Sequence, residues 1–353
     1  MKRRSLLVGL GCTVAAGATR VASAIDQRGS ADGDDRQAAG LPRRLLGRTG
    51  AKISVVGFPG LALVHAKQDE CTAGIHRAFE NGVNYFDVAP AYGNGDCETK
   101  MGIGLEGIDR NKVFLSCKTK VRDREGARQE LEQSLARLKT DHFDLYQLHC
   151  LKTPEEVKTA LGPGGAMETI LKAKEEGKIK HIGFSAHTTK GALAALEGFP
   201  FDTVMFPVNF VEFYTIGFGK AVLKLAAEKG AAVIAIKPVS RGLWPKDVER
   251  TRRWWYRPVE DEKEIGLVMR FALGLEGVVT GIPVSFLDLL DKIIEACRED
   301  RPNTEAETEA IRRLAAQCES VFRREEQQVA SAAACDAPVY ADSPHECRTR
   351  RHV

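Results

Sequence analysis

The 353-residue chain lacks the short patterns by which metal centres and nucleotide-binding sheets are usually identified. Its nine cysteines include no Cys-x-x-Cys pair, so no zinc or iron–sulfur site is predicted. No Gly-x-Gly-x-x-Gly follows the first predicted strand, which argues against a dinucleotide-binding doubly wound sheet. The formal net charge is only +3, and basic residues are intermixed with acidic ones. Nucleic acid is therefore not an expected partner.

Residues 1–24 have the pattern of an export signal. A basic start containing Arg3-Arg4 is followed by an apolar Gly/Ala-rich run that is too short to span a bilayer, and then by a small-x-small cleavage site that ends at Ala24. Arg3-Arg4 before a weakly hydrophobic run resembles a twin-arginine signal. An ordinary secretory signal or a cytosolic terminus is the alternative. We expect a periplasmic or extracytoplasmic protein without a stable membrane span if the signal functions, and a cytoplasmic protein otherwise.

Residues 42–300 alternate between apolar strand-like runs and amphipathic helical stretches. A β-hairpin is predicted over residues 42–54, and eight buried strands follow. Eight strand–helix units indicate a closed parallel barrel or a doubly wound sheet, and eight is the number that closes a barrel. The predicted fold class is α/β, an (α/β)8 TIM barrel with an N-terminal β-hairpin and an extra C-terminal helix at 301–328. Disorder is predicted for the linker 25–41 and for the tail 329–353. The eight strands are predicted at 55–58, 83–88, 113–118, 143–149, 180–185, 203–208, 232–237 and 277–282.

Polar residues follow successive strands where a barrel keeps its reactive groups, at the carboxyl ends. Asp87 ends the second strand and Tyr92 lies in the loop after it, while Lys118 and His149 end the third and fourth strands. Each residue alone has an ordinary structural explanation, such as a cap, a surface cation or a buried histidine. Their placement on adjacent strand ends predicts that the four side chains converge.

These residue types fit proton transfer to a carbonyl oxygen. A tyrosine is a weak acid at neutral pH, and an ammonium beside it, that of Lys118, is expected to lower the pKa of Tyr92. Asp87 would keep that lysine charged and oriented, and His149 would donate to the carbonyl oxygen. Such donors stabilise the oxygen while hydride reaches the carbon. A protein has no hydride of its own, so a nicotinamide cofactor is required.

The segments around these residues resemble the aldo-keto reductase family. The likeness rests on residues 86–93, 114–119 and 144–149, with further matches in order at 182–185, 237–239 and 280–283. It covers residues 43–298. It implies an (α/β)8 barrel, a small-molecule carbonyl or alcohol substrate, and NAD(P)H-dependent reduction of an aldehyde or ketone or the reverse oxidation. Tyr92 would be the general acid/base, and no metal is implied.

The cofactor contacts implied by the resemblance differ from the family pattern. The family usually has Asn after the residue that matches Ser185, so His187 is the candidate substitute here. Ile236 stands where the nicotinamide ring often stacks on Tyr, and the Gln of strand six is missing, which leaves Asn209 to face the site. The predicted cofactor-binding residues are Ser185, His187, Asn209, Lys237, Gly281 and Ser285.

The basic residues that often grip the 2′-phosphate of NADPH are not evident. Val284-Ser285 and Leu290 occupy their positions. NADP(H) rather than NAD(H) is still the expectation, because Ser285 and the start of the last helix could take a phosphate. The alternative is that Ser285 only caps that helix.

A loop over residues 241–258 contains three tryptophans and follows the seventh strand, so it lies on the active-site side. It is predicted to be a substrate-binding lid, or else a loop that packs its aromatic side chains against the barrel or a partner subunit. Two other functions compete with the oxidoreductase. One is a non-catalytic nicotinamide-binding or regulatory barrel, which the altered cofactor contacts favour. The other is a hydrolase or lyase, for which no carboxylate pair or metal triad is visible.

Overall fold

A computed structural model of the chain describes residues 40–330. The predicted export signal, residues 25–39 of the predicted linker and residues 331–353 of the predicted tail lie outside the described residues. Between residues 40 and 330, no helix has both the length and the apolar character needed to cross a bilayer.

The described chain begins with the predicted hairpin. Strands β1 (Arg43–Leu45) and β2 (Lys52–Ser54) pair antiparallel, and the turn between them ends at Gly50 in the left-handed conformation, with φ at 72°. Leu46 and Ile53 are fully buried in one apolar cluster with side chains of the barrel strands, including Tyr85 and Ile234. The hairpin thus fills one end of the barrel.

The barrel is a single sheet of eight parallel strands, in which each strand pairs with its neighbours in the sequence. The sheet closes where the segment before its first strand meets its last strand. There Val56 forms a parallel bridge with Gly281, and Gly281 N donates to the Val55 carbonyl at 3.0 Å. The predicted (α/β)8 barrel is therefore confirmed. Its strands are β3 (Phe58–Pro59), β4 (Tyr85–Asp87), β5 (Phe114–Thr119), β6 (Phe143–Leu151), β7 (Ile179–Ala186), β8 (Thr203–Pro207), β9 (Ala232–Ile236) and β10 (Val278–Ile282).

Helices cover the outside of the strands and bury a large apolar cluster between the two layers. Their ends follow local sequence signals. Asp261 begins one helix by accepting a hydrogen bond from Glu264 N at 3.0 Å, and Gly230 ends another in the left-handed conformation. The predicted Gly-Pro-Gly-Gly break separates two helices. The helices are α1 (Gln68–Glu80), α2 (Asp96–Gly104), α3 (Arg124–Leu138), α4 (Pro154–Leu161), α5 (Ala166–Glu175), α6 (Thr189–Gly198), α7 (Phe210–Thr215), α8 (Lys220–Lys229), α9 (Glu262–Leu273), α10 (Leu287–Ala296), α11 (Glu305–Ala316) and α12 (Arg323–Ala330).

Three features differ from the sequence predictions. The first barrel strand is β3, which is later and shorter than the predicted 55–58, because Val56 pairs only as the bridge that closes the barrel. Helix α7 was not predicted. The single C-terminal helix predicted at 301–328 is wrong, since α11 and α12 flank a non-helical segment. No Gly or Pro marks that break, and its cause is a tertiary contact described below.

Candidate active site

The strand ends bring the predicted acid/base residues together. Asp87 ends β4, Lys118 lies near the end of the neighbouring β5, and Tyr92 follows in the loop after β4. Lys118 Nζ donates to Asp87 Oδ2 at 2.5 Å, to the Val88 carbonyl at 3.1 Å and to Tyr92 Oη at 3.3 Å. The ammonium is fully buried, so these oxygen atoms take the place of water around it.

Tyr92 is positioned by a tight turn. It begins a 3₁₀ segment, Tyr92–Gly95, in which Gly93 and Asn94 have left-handed φ values of 59° and 55°. The turn brings the Tyr92 ring to 5.0 Å from Lys118 Nζ. His149 comes from β6, and its ring lies edge-on to Tyr92 with 5.7 Å between the centroids. The four predicted residues therefore form one buried group.

Burial dominates the ionisation of this group. It raises the pKa of Tyr92 well above its ordinary value, and the negative charge of Asp87 raises it further. The expected net lowering of the Tyr92 pKa beside Lys118 is therefore wrong, because the net direction is upward. The physical reason is that Asp87 compensates the lysine charge while the apolar surroundings disfavour a phenolate. Tyr92 is consequently a protonated donor at neutral pH.

Cys150, which sequence reasoning did not single out, contacts two predicted cofactor residues, Ser185 and His187. His187, just after β7, places Nδ1 at 3.0 Å from Cys150 Sγ and Nε2 at 3.3 Å from Lys237 Nζ. Ser185 Oγ accepts a hydrogen bond from Cys150 N at 2.8 Å. Burial lowers the pKa of Lys237 from 10.5 to about 8. A buried histidine that follows β7 and a buried amine that follows β9 thus lie side by side, although β8 separates the two strands in the sheet.

The other three predicted cofactor residues occupy different surroundings. Asn209 Oδ1 accepts from Glu212 N at 3.0 Å, which begins α7, and its buried Nδ2 has no hydrogen-bond partner among residues 40–330. Ser285 lines the cleft and does not cap α10, whose N-cap residue is Phe286. Gly281 lies in the closing strand pair and not in the cleft lining. A Cβ added at Gly281 would lie only 3.0 Å from Met269 Cε, so the glycine is explained by close packing inside the barrel wall.

One cleft at the carboxyl ends of the strands unites most of the predicted residues. Within residues 40–330, no group of His, Cys, Asp or Glu side chains is arranged to hold a metal. The lining also includes two apolar side chains, Met205 of β8 and Ile236 at the end of β9. Sequence reasoning did not predict either of them as a site residue. The predicted residues that line the cleft are Asp87, Tyr92, His149, Ser185, His187, Lys237 and Ser285.

The tryptophan-rich loop forms a wall of this cleft. Trp254 and Tyr256 line it, and both are buried. Trp254 packs edge-on against Phe286 with 5.4 Å between ring centroids, and Trp244 Nε1 donates to the Trp254 carbonyl at 2.8 Å. Arg252 ties the loop to α10 through two hydrogen bonds to Asp288, at 3.1 and 2.6 Å. The loop is thus packed on the barrel while it also faces the cleft.

The segment between α11 and α12 packs beside two residues of the cleft lining, His187 and Lys237. The buried carboxylate of Glu212 accepts hydrogen bonds from Ser320 Oγ and from Val321 N. The ring of Phe322 is stacked on Phe218 at 5.1 Å and lies 6.0 Å from the His187 ring. Sequence reasoning missed these contacts, because the residues that form them are more than 100 positions apart.

Comparison with known proteins agrees with this architecture. A family model described as the aldo/keto reductase family matches residues 62–330. L-galactose dehydrogenase of Arabidopsis thaliana is 28% identical over 216 residues, which are 57% of this chain and 66% of the plant protein. The chain spans between 60% and 66% of the length of the first curated relatives that it matches.

Solved structures share the fold at low sequence identity. The aldo-keto reductase AKR11C1 from Bacillus halodurans, in its holo form, superposes with a TM-score of 0.64 at 22% identity, covering 81% of this chain and 99% of that one. The Bombyx mori aldo-keto reductase AKR2E4, in complex with NADP, superposes with a TM-score of 0.58 at 20% identity, covering 78% and 94%.

Proposed function

The chain belongs to the aldo/keto reductase family, and we propose that it is an NAD(P)H-dependent oxidoreductase that reduces an aldehyde or ketone or oxidises the corresponding alcohol. One observation carries this proposal. Lys118 Nζ contacts both Asp87 and Tyr92 in a buried site whose cleft also contains His149. The similarity to L-galactose dehydrogenase of Arabidopsis thaliana and to a Bombyx mori aldo-keto reductase in complex with NADP supports it.

Tyr92 is the proton donor in this proposal. Burial keeps its hydroxyl protonated at neutral pH, so it is ready to donate to an oxygen that gains negative charge. The ammonium of Lys118, at 3.3 Å from Tyr92 Oη, stabilises the phenolate that is left behind. Asp87 keeps Lys118 oriented, and His149 orients the carbonyl oxygen. A nicotinamide, when bound, supplies or accepts the hydride.

The residues present fit a nicotinamide dinucleotide. Asn209 keeps a buried donor for which residues 40–330 provide no partner, and Lys237 is a buried cation at the cleft. Together with Ser185, His187 and Ser285, these side chains would hold the cofactor. We propose NADP(H) in preference to NAD(H), because relatives of the same fold include an aldo-keto reductase in complex with NADP.

Titration with NADPH and NADH, followed by nicotinamide fluorescence, tests cofactor use. We expect both to perturb the signal and NADPH to bind more tightly. Binding without reduction of any compound in a broad aldehyde and ketone panel would support the second candidate, a non-catalytic nicotinamide-binding barrel. That candidate is favoured by the packing of the Phe322 ring at 6.0 Å from the ring of His187, a predicted cofactor residue.

We further propose that the chain is exported by the twin-arginine route. The support is the basic, apolar and small-residue order of residues 1–24. That route carries folded proteins, so cofactor bound in the cytoplasm would travel inside the barrel. Outside the cytoplasm the cofactor would stay bound and turn over by an internal oxidation–reduction cycle. N-terminal sequencing of protein from the native host tests cleavage after Ala24.

A further inference from the structure

Glu98 is a fully buried glutamate that the proposed mechanism does not use. It lies in the first turn of α2, shortly after Gly95, the last residue of the 3₁₀ turn that begins with Tyr92. Its two carboxylate oxygens contact different elements. Cys117 Sγ of β5 lies 3.4 Å from Oε1, and Arg137 Nη1 of α3 lies 2.9 Å from Oε2. One carboxylate therefore connects α2, β5 and α3.

The contact with β5 fixes the strand that carries Lys118. Successive side chains of a strand point to opposite faces. Cys117 accordingly belongs to the apolar cluster between the strands and the helices, while Lys118, the next residue, contacts Asp87 and Tyr92. Burial raises the pKa of the Cys117 thiol well above its ordinary value, and the charge of Glu98 raises it further. The thiol is therefore protonated and donates to Glu98, which ties β5 to α2 next to Lys118.

The contact with α3 fixes the turn that carries Tyr92. A Cβ added at Gly95 would lie 2.6 Å from Arg137 Cζ and 2.9 Å from Arg137 Nε, so the guanidinium occupies the space directly beside this glycine. The φ of Gly95 is 90°, in a region that favours glycine. Because the same guanidinium donates to Glu98, Arg137 packs against the end of the turn while Glu98 holds it there.

We propose that Glu98, together with Arg137, is a positioning residue that sets the separation of Tyr92 and Lys118. This inference rests on the proposed function and extends its proton-transfer site to a second layer of residues. Tyr92 Oη and Lys118 Nζ lie 3.3 Å apart, but one comes from the loop after β4 and the other from β5. Glu98 connects these two segments, through Arg137 to the turn and through Cys117 to the strand.

A purely structural role makes a different prediction. A carboxylate that only stabilises the fold changes the free energy of unfolding and leaves the surroundings of the Tyr92 hydroxyl as they are. Asp144 provides the matched control, because it is also a buried carboxylate with an arginine partner. It accepts from Arg110 Nη1 at 2.8 Å and from Leu115 N at 2.9 Å. These contacts lie near the amino ends of β5 and β6, away from the cleft.

NMR spectroscopy observes the Tyr92 hydroxyl directly and needs no turnover. The chain has six tyrosines, so the full chain labelled with ¹³C at tyrosine Cζ gives a simple spectrum, in which Tyr92→Phe identifies the Tyr92 signal. We expect Glu98→Ala to shift this signal, because the hydrogen bond between Tyr92 and Lys118 changes. Glu98→Gln should restore most of the wild-type position, since its amide oxygen still accepts from Arg137. Asp144→Ala should leave the Tyr92 signal in place.

Turnover then measures the effect on proton transfer. With a carbonyl compound that the wild type reduces, we expect Glu98→Ala to lower kcat by about 10–100-fold, because small misplacements of reacting groups are costly. The KM for NADPH should not change. Glu98→Gln should recover most of kcat, and Asp144→Ala should retain it. The Arg137 side chain is 33% exposed, so Arg137→Met is a second variant near the surface, and it should shift the Tyr92 signal and lower kcat in the same directions.

A loss of stability of Glu98→Ala in urea unfolding, with the Tyr92 signal and kcat unchanged, would overturn the proposal. A lower kcat with an unchanged Tyr92 signal would also overturn it. If Glu98→Ala does not fold, an unchanged Tyr92 signal in Arg137→Met decides against the positioning role. Wild-type protein that reduces no compound in the aldehyde and ketone panel would contradict the proposed function instead, and a shifted Tyr92 signal in Glu98→Ala would still support the positioning of Tyr92 by Glu98.

Discussion

A single buried lysine organises the residues that carry the proposed chemistry. The ammonium group of Lys118 donates hydrogen bonds to Asp87, to Tyr92 and to a backbone carbonyl. The side chain is fully buried. Because burial raises the pKa of Tyr92, the lysine does not create a phenolate in the resting protein. In the proposed mechanism its contribution is to stabilise the phenolate after proton transfer.

Replacing Tyr92 tests that assignment. Tyr92→Phe removes the donated proton and keeps the ring that packs against His149. We expect kcat for carbonyl reduction to fall by about 10²–10⁴-fold, with the circular dichroism spectrum and NADPH binding unchanged. Tyr214→Phe, outside the cleft, is the control. Undiminished reduction by Tyr92→Phe would refute the proposed mechanism.

Removing Lys118 should destabilise the fold as well as the activity. Lys118→Met leaves Asp87 buried without its cation, and such a loss costs roughly 3–5 kcal/mol. Burial already raises the pKa of Asp87, against the opposing effect of Lys118, so the variant should take up a proton at this position. Urea unfolding measures the loss. The double variant Lys118→Met with Asp87→Asn should recover part of it, and no recovery would show that lost packing, not the uncompensated charge, is responsible.

Burial of the Lys237 ammonium should lower the free energy of unfolding of the protein. Its pKa is 10.5 ordinarily and about 8 in the folded protein. Between these pH values the unfolded chain holds a proton that the folded chain has lost, so the free energy of unfolding rises with pH. Lys237→Met should therefore add about 3 kcal/mol to the free energy of unfolding at pH 7. This gain should vanish toward pH 10.5, as measured by urea unfolding of both proteins across that range, and a gain independent of pH would contradict the charge-based explanation.

At the scale of elements, the segment from α11 to α12 is attached to the cleft end of the barrel. Glu212 of α7 receives the hydrogen bonds of Ser320 and Val321, which is the contact that separates α11 from α12. Thr189 N donates to Glu326 at 2.6 Å, so α12 is also fixed to the start of α6. These contacts hold Phe322 over Lys237.

Loss of the Glu212 carboxylate should release this segment. Glu212→Ala leaves the buried Val321 N–H without its acceptor, which costs about 1–3 kcal/mol. We expect faster amide hydrogen exchange in residues 319–330, with little change in β4 to β6. Glu228→Ala, an exposed glutamate on α8, is the control. Unchanged protection of residues 319–330 would show that apolar packing of Phe322 alone retains the segment.

At the scale of the molecule, the export proposal concerns residues 1–24, which lie outside the described residues. Replacing Arg3 and Arg4 by Lys keeps the positive charge and removes the paired arginines. We expect the variant to remain unprocessed in the cytoplasmic fraction of the native host while the wild type is exported. Continued export of the variant would identify an ordinary secretory signal, which requires only a basic start.

The sequence by itself determined the repeating pattern of the barrel and the placement of Asp87, Tyr92, Lys118 and His149 at or just after strand ends. Strand periodicity, helix caps and a strand-end Asp, Lys or His are local features, so they can be read without knowing what lies across the barrel. For the same reason the break between α4 and α5 was predictable, since Gly and Pro mark it.

Only the tertiary structure decided which groups meet and how they ionise. The raised pKa of Tyr92 depends on burial by many elements at once, and the break before α12 depends on a glutamate 108 residues away. The aromatic surroundings of Lys237 also depend on the tertiary structure, because Trp255 and Phe322 come from two distant segments of the chain. Desolvation and long-range contacts arise from the packed chain as a whole, and no local sequence pattern carries them.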